Sequence, residues 1–520
     1  TGNILRCPLA HFYSAVDKKL WLKKKFVVAA QYCVTLDRVP EALYPAIAAN
    51  PAQWAQWHDL GMRASAAPGT VQDLKAAPFL MVDTALFDAG FRADLLKAIP
   101  DLDASLDGLL VHGDNFQALG LLGERYREKV KCVYLDPPYN TSEETFIYKN
   151  QYKHSSWLSM IESRVGSTVP FMSRDAILQV TIDDMEIYRL KNLLDQSLSA
   201  ESYIGTVVVQ TNPRGRGINS FFATSHDYAV CYALDPERAE ICDELLSDEQ
   251  SEGYKFKDAI SEYRLLPFRR SGGLSTPDDR PNSEFSLFVD RASLTIVAVG
   301  GKRITDYPDV YRANVALTLE NGALREHPYS DFLNNSSIAK ILPIDGEGQR
   351  RVWRWSDREK ILSAAAAGDY VVKEARGEGY IVQLKDRIKE GRKPKTVWVD
   401  SAFDASSHGT NLLSEIMGGR RSFGYPKSIH ATKASVSAVV RKSPTSIVLD
   451  YFGGSGTTAH AVIDLNRDDE GQRKYILVEQ GDYFEDVLKQ RLQKVVYSKS
   501  WSSGKATAPE TGISHAFKML

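Results

Sequence analysis

Four consecutive residues, Asp136-Pro137-Pro138-Tyr139, combine a carboxylate, a stiff turn and an aromatic ring. The apolar run 130–135 before them predicts a buried strand, and the prolines end it because neither can donate a hydrogen bond to a neighbouring strand. Ligands of open α/β sheets bind at such carboxyl ends. There the Asp136 carboxylate and a backbone carbonyl can accept hydrogen bonds from the exocyclic amine of a nucleobase while the ring stacks on the base. Taken alone, the stretch is also typical of an ordinary turn that ends a strand.

A glycine-rich segment near the other end of the chain predicts a second binding turn. Residues 446–461 have the pattern of a strand, a turn with three glycines and a helix, in which the backbone can approach a ligand and the helix N-terminus offers free N–H groups. No lysine follows Gly456, so the segment is not a phosphate loop, and it also lacks the GxGxxG spacing. The next predicted strand, 475–479, ends in Glu479, and an acid at that point commonly binds two ribose hydroxyls. Together these features predict a nucleoside-like ligand without a phosphate clamp, which S-adenosylmethionine fits.

Strands and helices alternate around both stretches. The segment 109–115 predicts a short strand that ends in Gly-Asp-Asn, before a helix over 116–129. Asp114 can cap that helix or receive part of a nucleotide, and the residues alone favour neither. Further on, a strand over 175–184 ends in two acids and precedes an amphipathic helix over 186–198. Such alternation predicts an α/β fold with a largely parallel sheet.

The composition is that of a soluble protein with several domains. A chain of 520 residues exceeds one ordinary core, so two or three domains are expected. Its net charge of −2 argues neither for nor against nucleic acid, because a neutral protein can carry a local basic face. The five cysteines lack CxxC spacing, which predicts no metal site, no disulfide framework and a cytoplasmic location. No apolar run is long enough to span a membrane, and a start at Thr1 rather than Met is typical of a shortened chain.

The pattern changes along the chain and predicts several regions. Residues 1–100 are expected to be mostly helical, most clearly at 20–30 and 51–57. They carry no recognisable chemistry, and their aromatic residues are expected to build a small core or, alternatively, to contact a partner. The α/β pattern occupies 101–235 and 401–500, and 501–520 are expected to form a C-terminal tail.

The segment 236–400 has a different character. Charges, glycines and prolines cluster there, and the alternation of helix and strand is lost. Basic residues among aromatic ones suit a nucleic-acid surface, although each single residue is better explained by a solvated loop. We therefore expect a separate recognition domain that carries the following set: Arg264, Arg269, Arg270, Arg280, Arg350, Arg351, Arg354, Arg392, Lys393 and Lys395, with Tyr263, Phe268, Trp353 and Trp355.

Two motifs in this order resemble a known family. Asp136-Pro137-Pro138-Tyr139 upstream and Phe452-Gly453-Gly454-Ser455-Gly456-Thr457 downstream resemble the amino-methylating DNA methyltransferases of the β arrangement, in which the catalytic motif precedes the cofactor motif and a target-recognition region lies between them. The resemblance covers roughly residues 105–500. It implies a circularly permuted Rossmann-like methyltransferase domain with a mostly parallel seven-stranded sheet, an inserted target-recognition domain and a helical N-terminal region.

Finer motifs resemble the modification (Mod) subunits of type III restriction-modification systems. They lie at 111–115, 136–148, 154–158, 212–216, 224–228, 279–282 and 423–428. This resemblance implies double-stranded DNA as the substrate, a homodimer, and a restriction subunit with helicase and nuclease activity as a candidate partner. Three alternatives stay open: a stand-alone or other phage-defence adenine methyltransferase, a catalytically idle DNA-recognition subunit of the same fold, and methylation of RNA or protein.

The resemblance also implies a mechanism and a set of residues. A methyl group would pass from S-adenosylmethionine to N6 of a flipped-out adenine, which an Asp rather than a Ser at position 136 favours over N4 of cytosine. The implied catalytic residues are Asp136, Pro137, Pro138 and Tyr139, and no metal is implied. The implied cofactor-binding residues are Asp114, Asp136, Lys427, Ser428, Asp450, Phe452, Gly454, Gly456, Thr457 and Glu479. The placement of Lys427 and Ser428 near the methionine end rests on the resemblance alone.

The permuted order makes two topological predictions. After the strand 475–479 only one helix and a tail remain, so the neighbour of that strand is expected to be the strand 109–112. That arrangement would bring Asp114 beside the adenine of the cofactor. Asp136 and Gly454 are then expected to lie at neighbouring strand ends.

Overall fold

The computed structural model describes residues 30–99, 101–140, 154–216, 221–245, 252–304, 307–375, 379–388, 391–419 and 423–520. Residues 20–29 of the predicted helix 20–30 and residues 141–148 of the motif 136–148 lie outside these residues. The chain divides into two compact units, one formed by Thr1–Glu244 with Lys393–Leu520 and the other by Leu245–Arg392. The bounds of the second unit fall inside the segment 236–400, for which the sequence predicts a separate domain.

Within the described residues, the first unit is built on a sheet of eleven strands. Strands are numbered in chain order through both units, and those of this sheet are β1 (Gln31–Thr35), β2 (Met81–Asp83), β3 (Gly108–His112), β4 (Val130–Leu135), β5 (Met172–Ile182), β6 (Tyr203–Val209), β7 (Asp227–Ala233), β19 (Val397–Trp398), β20 (Ile447–Asp450), β21 (Lys474–Glu479) and β24 (Ala516–Met519). Their order is β19-β6-β7-β5-β4-β20-β21-β3-β24-β1-β2. The central strands, from β5 through β3, are all parallel. The α/β fold with a largely parallel sheet is therefore confirmed.

Both predicted neighbours in the sheet are confirmed. β21 pairs in parallel with β3, from Tyr475 opposite Gly108 to Glu479 opposite His112. β20 pairs in parallel with β4, so the strand before the glycine turn lies beside the strand before the catalytic motif.

The sheet has four strands more than the expected seven, because both ends of the described chain add to it and β19, from the segment 236–400, pairs with β6 at one edge. β1 and β2 come from the region expected to be helical, and β24 comes from the expected tail. β24 pairs in parallel with β3 and antiparallel with β1. Apolar runs of three to five residues do not distinguish a strand from a turn of helix, so these edge strands had no clear signal in the sequence.

Fourteen α-helices lie in the described residues. They are α1 (Tyr44–Ala48), α2 (Pro51–Asp59), α3 (Val71–Lys75), α4 (Ala89–Ala98), α5 (Leu102–Ser105), α6 (Asn115–Leu122), α7 (His154–Thr168), α8 (Ile187–Leu198), α9 (Tyr329–Leu333), α10 (Arg358–Ala366), α11 (Leu412–Met417), α12 (Ile429–Val440), α13 (Thr457–Asp469) and α14 (Gln490–Tyr497). In the part of the chain that is described, no helix has the length and apolar character needed to cross a membrane.

Helices cover both faces of the central sheet. Val133 and Leu135 of β4 belong to one buried cluster, to which α6, α7 and α8 contribute. Cys132 and Tyr134 belong to a second cluster, to which α12, α13 and α14 contribute. Successive residues of a strand point to opposite faces, so the two clusters lie on opposite sides of the sheet. The sheet is thereby buried on both sides, as a parallel sheet requires.

The second unit consists mainly of two antiparallel sheets. Their strands are β9 (Phe256–Lys257), β10 (Glu262–Pro267), β11 (Leu287–Asp290), β12 (Thr295–Ile304), β13 (Tyr307–Glu320), β14 (Ala323–Pro328), β15 (Ile338–Ile341), β16 (Tyr370–Ala375) and β17 (Gly379–Arg387). The sheets have the orders β16-β17-β10-β9 and β14-β13-β12-β11-β15. The short strands β8 (Glu244–Leu245) and β18 (Gly391–Arg392) lie where the chain passes from one unit to the other, and β22 (Trp501–Ser502) pairs with β23 (Lys505–Ala506).

Part of the expected nucleic-acid surface of this unit has a structural role instead. The rings of Phe268 and Trp353 are buried, and they stack with centroids 5.4 Å apart inside the core of the unit. Arg264 pairs with Asp386 at 2.7 Å, and other arginines of the set also pair with acids. The alternation of basic and aromatic residues in the sequence cannot distinguish a strand with one buried face from a nucleic-acid surface.

Candidate active site

The catalytic motif and the glycine turn lie at neighbouring strand ends. Leu135 is the last residue of β4, Asp450 is the last residue of β20, and the two strands pair in parallel. Asp136 and Gly454, which follow these ends, therefore lie at the same edge of the sheet, as the permuted order predicts. Both residues belong to the first unit.

Buried contacts fix the catalytic turn. The indole Nε1 of Trp157 donates to the Pro138 carbonyl at 2.8 Å. Asn140 adopts a φ of +59°, in the left-handed region, and its Nδ2 donates to Glu186 Oε1 at 2.7 Å. Nδ1 of His154 lies 2.5 Å from the same oxygen, and the Glu186 side chain has no exposed surface. These contacts add to the stiffness that the two prolines give the turn.

Two neighbouring side chains hold one oxygen of the Asp136 carboxylate. Oδ1 accepts a hydrogen bond from the Thr181 hydroxyl at 2.6 Å and lies 3.2 Å from Lys427 Nζ. Among the described residues, none donates a hydrogen bond to Oδ2. The side chain keeps 26% of its surface exposed. A carboxylate that is held by one oxygen presents the other as a hydrogen-bond acceptor in a fixed direction.

Lys427 joins the catalytic motif to the start of β7. Its Nζ lies 3.2 Å from Asp136 and 3.1 Å from Asp227, contacts the Tyr139 hydroxyl, and lies 4.1 Å from the centroid of the Tyr139 ring. Burial disfavours the ammonium, but the two carboxylates outweigh burial and raise the pKa of Lys427 above its ordinary value. Burial, followed by the charges of Asp227 and Asp136, raises the pKa of Tyr139. The lysine therefore stays charged, the tyrosine stays neutral, and their contact fixes the ring.

The glycine turn requires glycine at two positions. Gly454 has a φ of +51° and Gly456 a φ of +83°, and a Cβ at position 456 would lie 2.8 Å from Leu492 Cδ1. The Glu479 carboxylate accepts hydrogen bonds from the backbone N–H groups of Gly454 and Gly481, each at 2.7 Å. The acid expected to bind the ribose thus also holds the turn in place.

Asp450 holds the start of the same turn. Its buried carboxylate accepts hydrogen bonds from the Phe452 N–H at 2.9 Å and from the Thr458 hydroxyl at 2.6 Å. Burial raises the pKa of Asp450 to about 7, against the two hydrogen bonds, which lower it. The contacts of Asp450 are therefore those of a residue that positions the turn.

A buried arginine supports the turn from within the protein. Nη1 of Arg491, on α14, donates to the hydroxyls of Ser455 and Thr457, each at 2.9 Å. Nη2 lies 3.2 Å from His460 Nδ1. Burial lowers the pKa of Arg491 to about 10 and the pKa of His460 to about 3, so the histidine is neutral and can accept from the guanidinium. The sequence had no motif at Arg491 that could have indicated this contact.

Asp114 caps α6 at the same edge of the sheet. Its Oδ1 accepts from the Gln117 N–H at 3.2 Å, and its Oδ2 lies 3.5 Å from Arg164. The next residue, Asn115, donates from Nδ2 to the Tyr451 carbonyl at 3.0 Å and so joins this turn to the end of β20. A Cβ built on Gly113 would meet nothing within 4 Å, so there is open space where β3 ends.

One predicted residue has a capping contact in the structure, and three residues of the site were not predicted from the sequence. Ser428 is 1% exposed, where its hydroxyl caps α12 and donates to the Ala402 carbonyl at 2.8 Å. Asp227 was missed as a site residue, although it lies in the segment 224–228 that resembles the Mod subunits. Thr181 and Glu186 were also missed, and an isolated threonine in a strand or a single acid before a helix gives no local signal.

The sequence of the chain is similar to those of known proteins. A family described as DNA methylase matches residues 130–287 and 350–490, more than half of the chain. The chain belongs to this DNA methylase family. The methylase is 28% identical over 401 residues to the type II methyltransferase M.KpnI of Klebsiella pneumoniae, an alignment that covers 75% of this chain and 84% of M.KpnI.

Further similarities extend to type III Mod subunits and to solved structures. The methylase is 24% identical to the EcoPI Mod subunit of Escherichia phage P1 over 445 residues, which are 76% of this chain but only 63% of that subunit. The chain therefore spans less than two thirds of this relative. The crystal structure of the M1.HpyAVI–SAM complex is 12% identical, covers 74% of this chain and 98% of its own, and has a TM-score of 0.31.

Proposed function

We propose that this DNA methyltransferase transfers a methyl group from S-adenosylmethionine to N6 of an adenine in double-stranded DNA. The observation that carries the proposal is the open Oδ2 of Asp136 beside the glycine turn. A base bound at Asp136 and a methyl donor bound at the turn would meet at one edge of the sheet. Holding two reactants in a reactive arrangement supplies much of the rate enhancement of a group transfer.

The residues at the ends of β20, β21 and β3 fit S-adenosylmethionine. Glu479 and Asp114 carry carboxylate oxygens that can accept from hydroxyl and amine groups, and there is open space at Gly113, the residue before Asp114. The turn from Phe452 to Thr457 contains neither lysine nor arginine, which suits a ligand without phosphate. When bound, this cofactor supplies an electrophilic methyl group on a sulfonium, whose positive charge suits an edge with several carboxylates.

Three groups of the catalytic turn would bind the base. Tyr139, fixed through its hydroxyl by Lys427, would stack on the extruded adenine. Oδ2 of Asp136 and the Pro137 carbonyl would accept hydrogen bonds from the exocyclic amine. Two such acceptors draw the nitrogen lone pair out of conjugation with the ring and direct it at the methyl group. Extrusion of the base costs about a few kcal/mol, which binding to these groups would offset.

The remaining predicted residues keep their proposed roles with one refinement. Phe452, Gly454, Gly456 and Thr457 would form the wall of the cofactor site, with Asp450 behind them. Lys427 and Ser428 stay predictions for the methionine end. The contacts of Lys427 support a further role, because its ammonium lies between two carboxylates beside the catalytic turn.

Adenine rather than cytosine is proposed because of the residue at the first motif position. The matched family includes both N6 and N4 methylation, so family membership does not choose between them. Asp136 supplies a charged acceptor at this position, which in the resembling enzymes accompanies adenine.

Two biological settings are supported. The segments that resemble type III Mod subunits, together with the match to EcoPI Mod, support a modification subunit that works as a homodimer and with a restriction subunit. The match to M.KpnI supports a second setting, a stand-alone type II methyltransferase, because it covers 84% of that relative. Co-expression with the restriction subunit encoded nearest to this chain, followed by size-exclusion chromatography, separates the two settings: a stable complex is expected only in the first.

The reaction is tested with tritiated S-adenosylmethionine. The protein is incubated with mixed-sequence duplex DNA, RNA and protein acceptors, and the nucleic acids are digested to nucleosides. Label in N6-methyl-2′-deoxyadenosine from duplex DNA is expected, and Asp136→Ala is expected to abolish it. Label in N4-methyl-2′-deoxycytidine, or transfer by Asp136→Ala at the wild-type rate, would refute the mechanism. Cofactor binding without turnover would instead support an idle DNA-recognition subunit.

A further inference from the structure

The connection between β6 and β7 extends from the active-site edge of the sheet. β6 runs antiparallel to β7, so the connection begins where β6 ends and returns at Asp227, the first residue of β7. Asp227 lies 3.1 Å from Lys427 Nζ and 3.5 Å from the Tyr139 hydroxyl. The base of the connection is therefore part of the catalytic network.

The described residues of this connection are held in a hairpin. The backbones of Arg216 and Thr224 exchange two hydrogen bonds, at 2.7 and 3.1 Å, and the Asn212 N–H donates to the Ser225 carbonyl at 3.1 Å. The guanidinium of Arg216 lies 3.3 Å from the Thr211 hydroxyl and 3.4 Å from Asp227. These contacts anchor the hairpin to the edge of the sheet.

Two adjacent phenylalanines lie on the returning side of this hairpin. Phe221 is 86% exposed and Phe222 is 82% exposed. Burial of a phenylalanine side chain is worth about 1.5–3 kcal/mol, so two neighbouring exposed rings form an apolar surface that gains stability when it is covered. Arg214, on the other side of the hairpin, is also exposed. The hairpin thus carries apolar rings and a cationic side chain together.

Exposed apolar rings beside a cationic side chain suit a DNA duplex as the partner. Proteins that open or bend a duplex insert apolar side chains between base steps, while nearby cationic side chains bind the phosphates. The proposed reaction removes an adenine from the stack and leaves a gap in the duplex at that place. We propose that Phe221 and Phe222 form a wedge that enters the DNA base stack and fills the gap left by the extruded base. This inference rests on the proposed function, and it assigns the side chains that stabilise the opened duplex.

The test compares one duplex in two forms. Sequencing of methylated bases in a host that expresses the chain gives the recognition site, and two duplexes are then made in which the target base is either paired or mismatched. A mismatched base costs less to extrude. The Phe221→Ala/Phe222→Ala variant is compared with wild type and with Ile204→Ala, an exposed apolar control near the opposite end of β6.

The double variant is expected to lose activity on the paired duplex only. The double variant should show kcat/KM about tenfold or more below wild type on the paired duplex, with the mismatched duplex restoring it to within about twofold. Ile204→Ala should match wild type on both duplexes. An equal loss on both duplexes, or no loss on the paired one, would overturn the wedge. A loss of activity that accompanies a change of oligomeric state in sedimentation would overturn it in favour of a second copy of the chain.

A binding measurement separates this proposal from the proposed function. An abasic duplex already contains the gap, so wild type should bind it more tightly than the double variant does, whether or not methyl transfer occurs. If wild type transfers no label to DNA but binds the abasic duplex more tightly than the double variant does, the proposed function fails and the wedge stands. If wild type transfers label but binds the abasic duplex no more tightly than the double variant does, the wedge fails.

Discussion

Asn140 and His154 bind the same oxygen of one buried carboxylate, Glu186 Oε1, at 2.7 and 2.5 Å. These two residues stand directly before and directly after the segment 141–153, which follows the catalytic motif. The single side chain of Glu186, directly before α8, thus holds the two described residues that flank that segment. It also stabilises the left-handed backbone of Asn140, the residue that leaves the catalytic turn.

Replacement of Glu186 should therefore affect catalysis more than cofactor binding. Glu186→Ala removes the acceptor of Asn140 and should lower the free energy of unfolding by about 1–3 kcal/mol, measured by urea denaturation. Its kcat should fall while the Kd for S-adenosylmethionine, measured by calorimetry, stays near that of wild type. Glu186→Gln keeps a carbonyl acceptor and should restore most of the stability. Glu124→Gln, at an exposed acid that pairs with Arg127, serves as the control and should change neither quantity. An unchanged kcat in Glu186→Ala would remove Glu186 from the catalytic role.

Removal of the Lys427 charge should slow methyl transfer. In Lys427→Met, the Asp136 and Asp227 carboxylates lose the cation between them and repel one another, and the Tyr139 hydroxyl loses its contact. The kcat/KM for methyl transfer to duplex DNA should fall by about tenfold. In Lys427→Met/Asp227→Asn the repulsion is gone, and kcat/KM should return toward wild type. An unchanged kcat/KM in the single variant would show that Asp136 does not need Lys427.

The strand ends could be predicted from the sequence because each motif carries its own local signal. Prolines after an apolar run locate the end of β4, and glycines after an apolar run locate the end of β20. The order of the motifs then predicts that β3 lies beside β21, and this pairing is confirmed although the later strand β24 also joins the sheet. Local signals followed by a topological argument were enough for the framework of the site.

The partners that hold the site could not be predicted. Glu186, Thr181 and Arg491 act through contacts over long stretches of chain, and each is a common residue type in an ordinary helix or strand. The buried stacking of Phe268 on Trp353 shows the opposite error, in which a pattern typical of a nucleic-acid surface belongs to a core. A pattern of residue types records which side chains are present, whereas burial depends on the elements packed against them.

Arg491 offers a test of the glycine turn that leaves the base site untouched. Arg491→Met keeps a long apolar side chain but removes the donors to Ser455 and Thr457, so the turn should lose its fixed shape. The Kd for S-adenosylmethionine should rise by about tenfold, which corresponds to about 1.4 kcal/mol. Arg473→Met is the matched control, because Arg473 is equally buried and pairs with Asp469 near the far end of α13. Arg473→Met should lower the free energy of unfolding and leave the Kd for S-adenosylmethionine unchanged. Equal effects of the two variants on Kd would mean that Arg491 supports only the fold.

The stability of the first unit should fall in acid partly because of His515. Its ring is buried, stacks on Tyr475 and lies 2.9 Å from the Tyr475 hydroxyl, and burial lowers the pKa of His515 to about 4. A histidine with a lowered pKa binds fewer protons in the folded state than in the unfolded state. Its effect on the free energy of unfolding is therefore absent above the ordinary pKa. As the pH falls from about 6.5 toward 4, the histidine lowers the free energy of unfolding. Over that interval His515 should cost about 3 kcal/mol in the free energy of unfolding. The raised pKa of buried Asp450 has the opposite effect on the free energy of unfolding as the pH falls. The quantity to measure is therefore the difference in the free energy of unfolding between variant and wild type. His515→Asn should flatten the acid branch of the curve of unfolding free energy against pH, while the control His58→Asn, at an exposed position, should leave it unchanged. Parallel curves for wild type and His515→Asn between pH 6.5 and 4 would contradict this account.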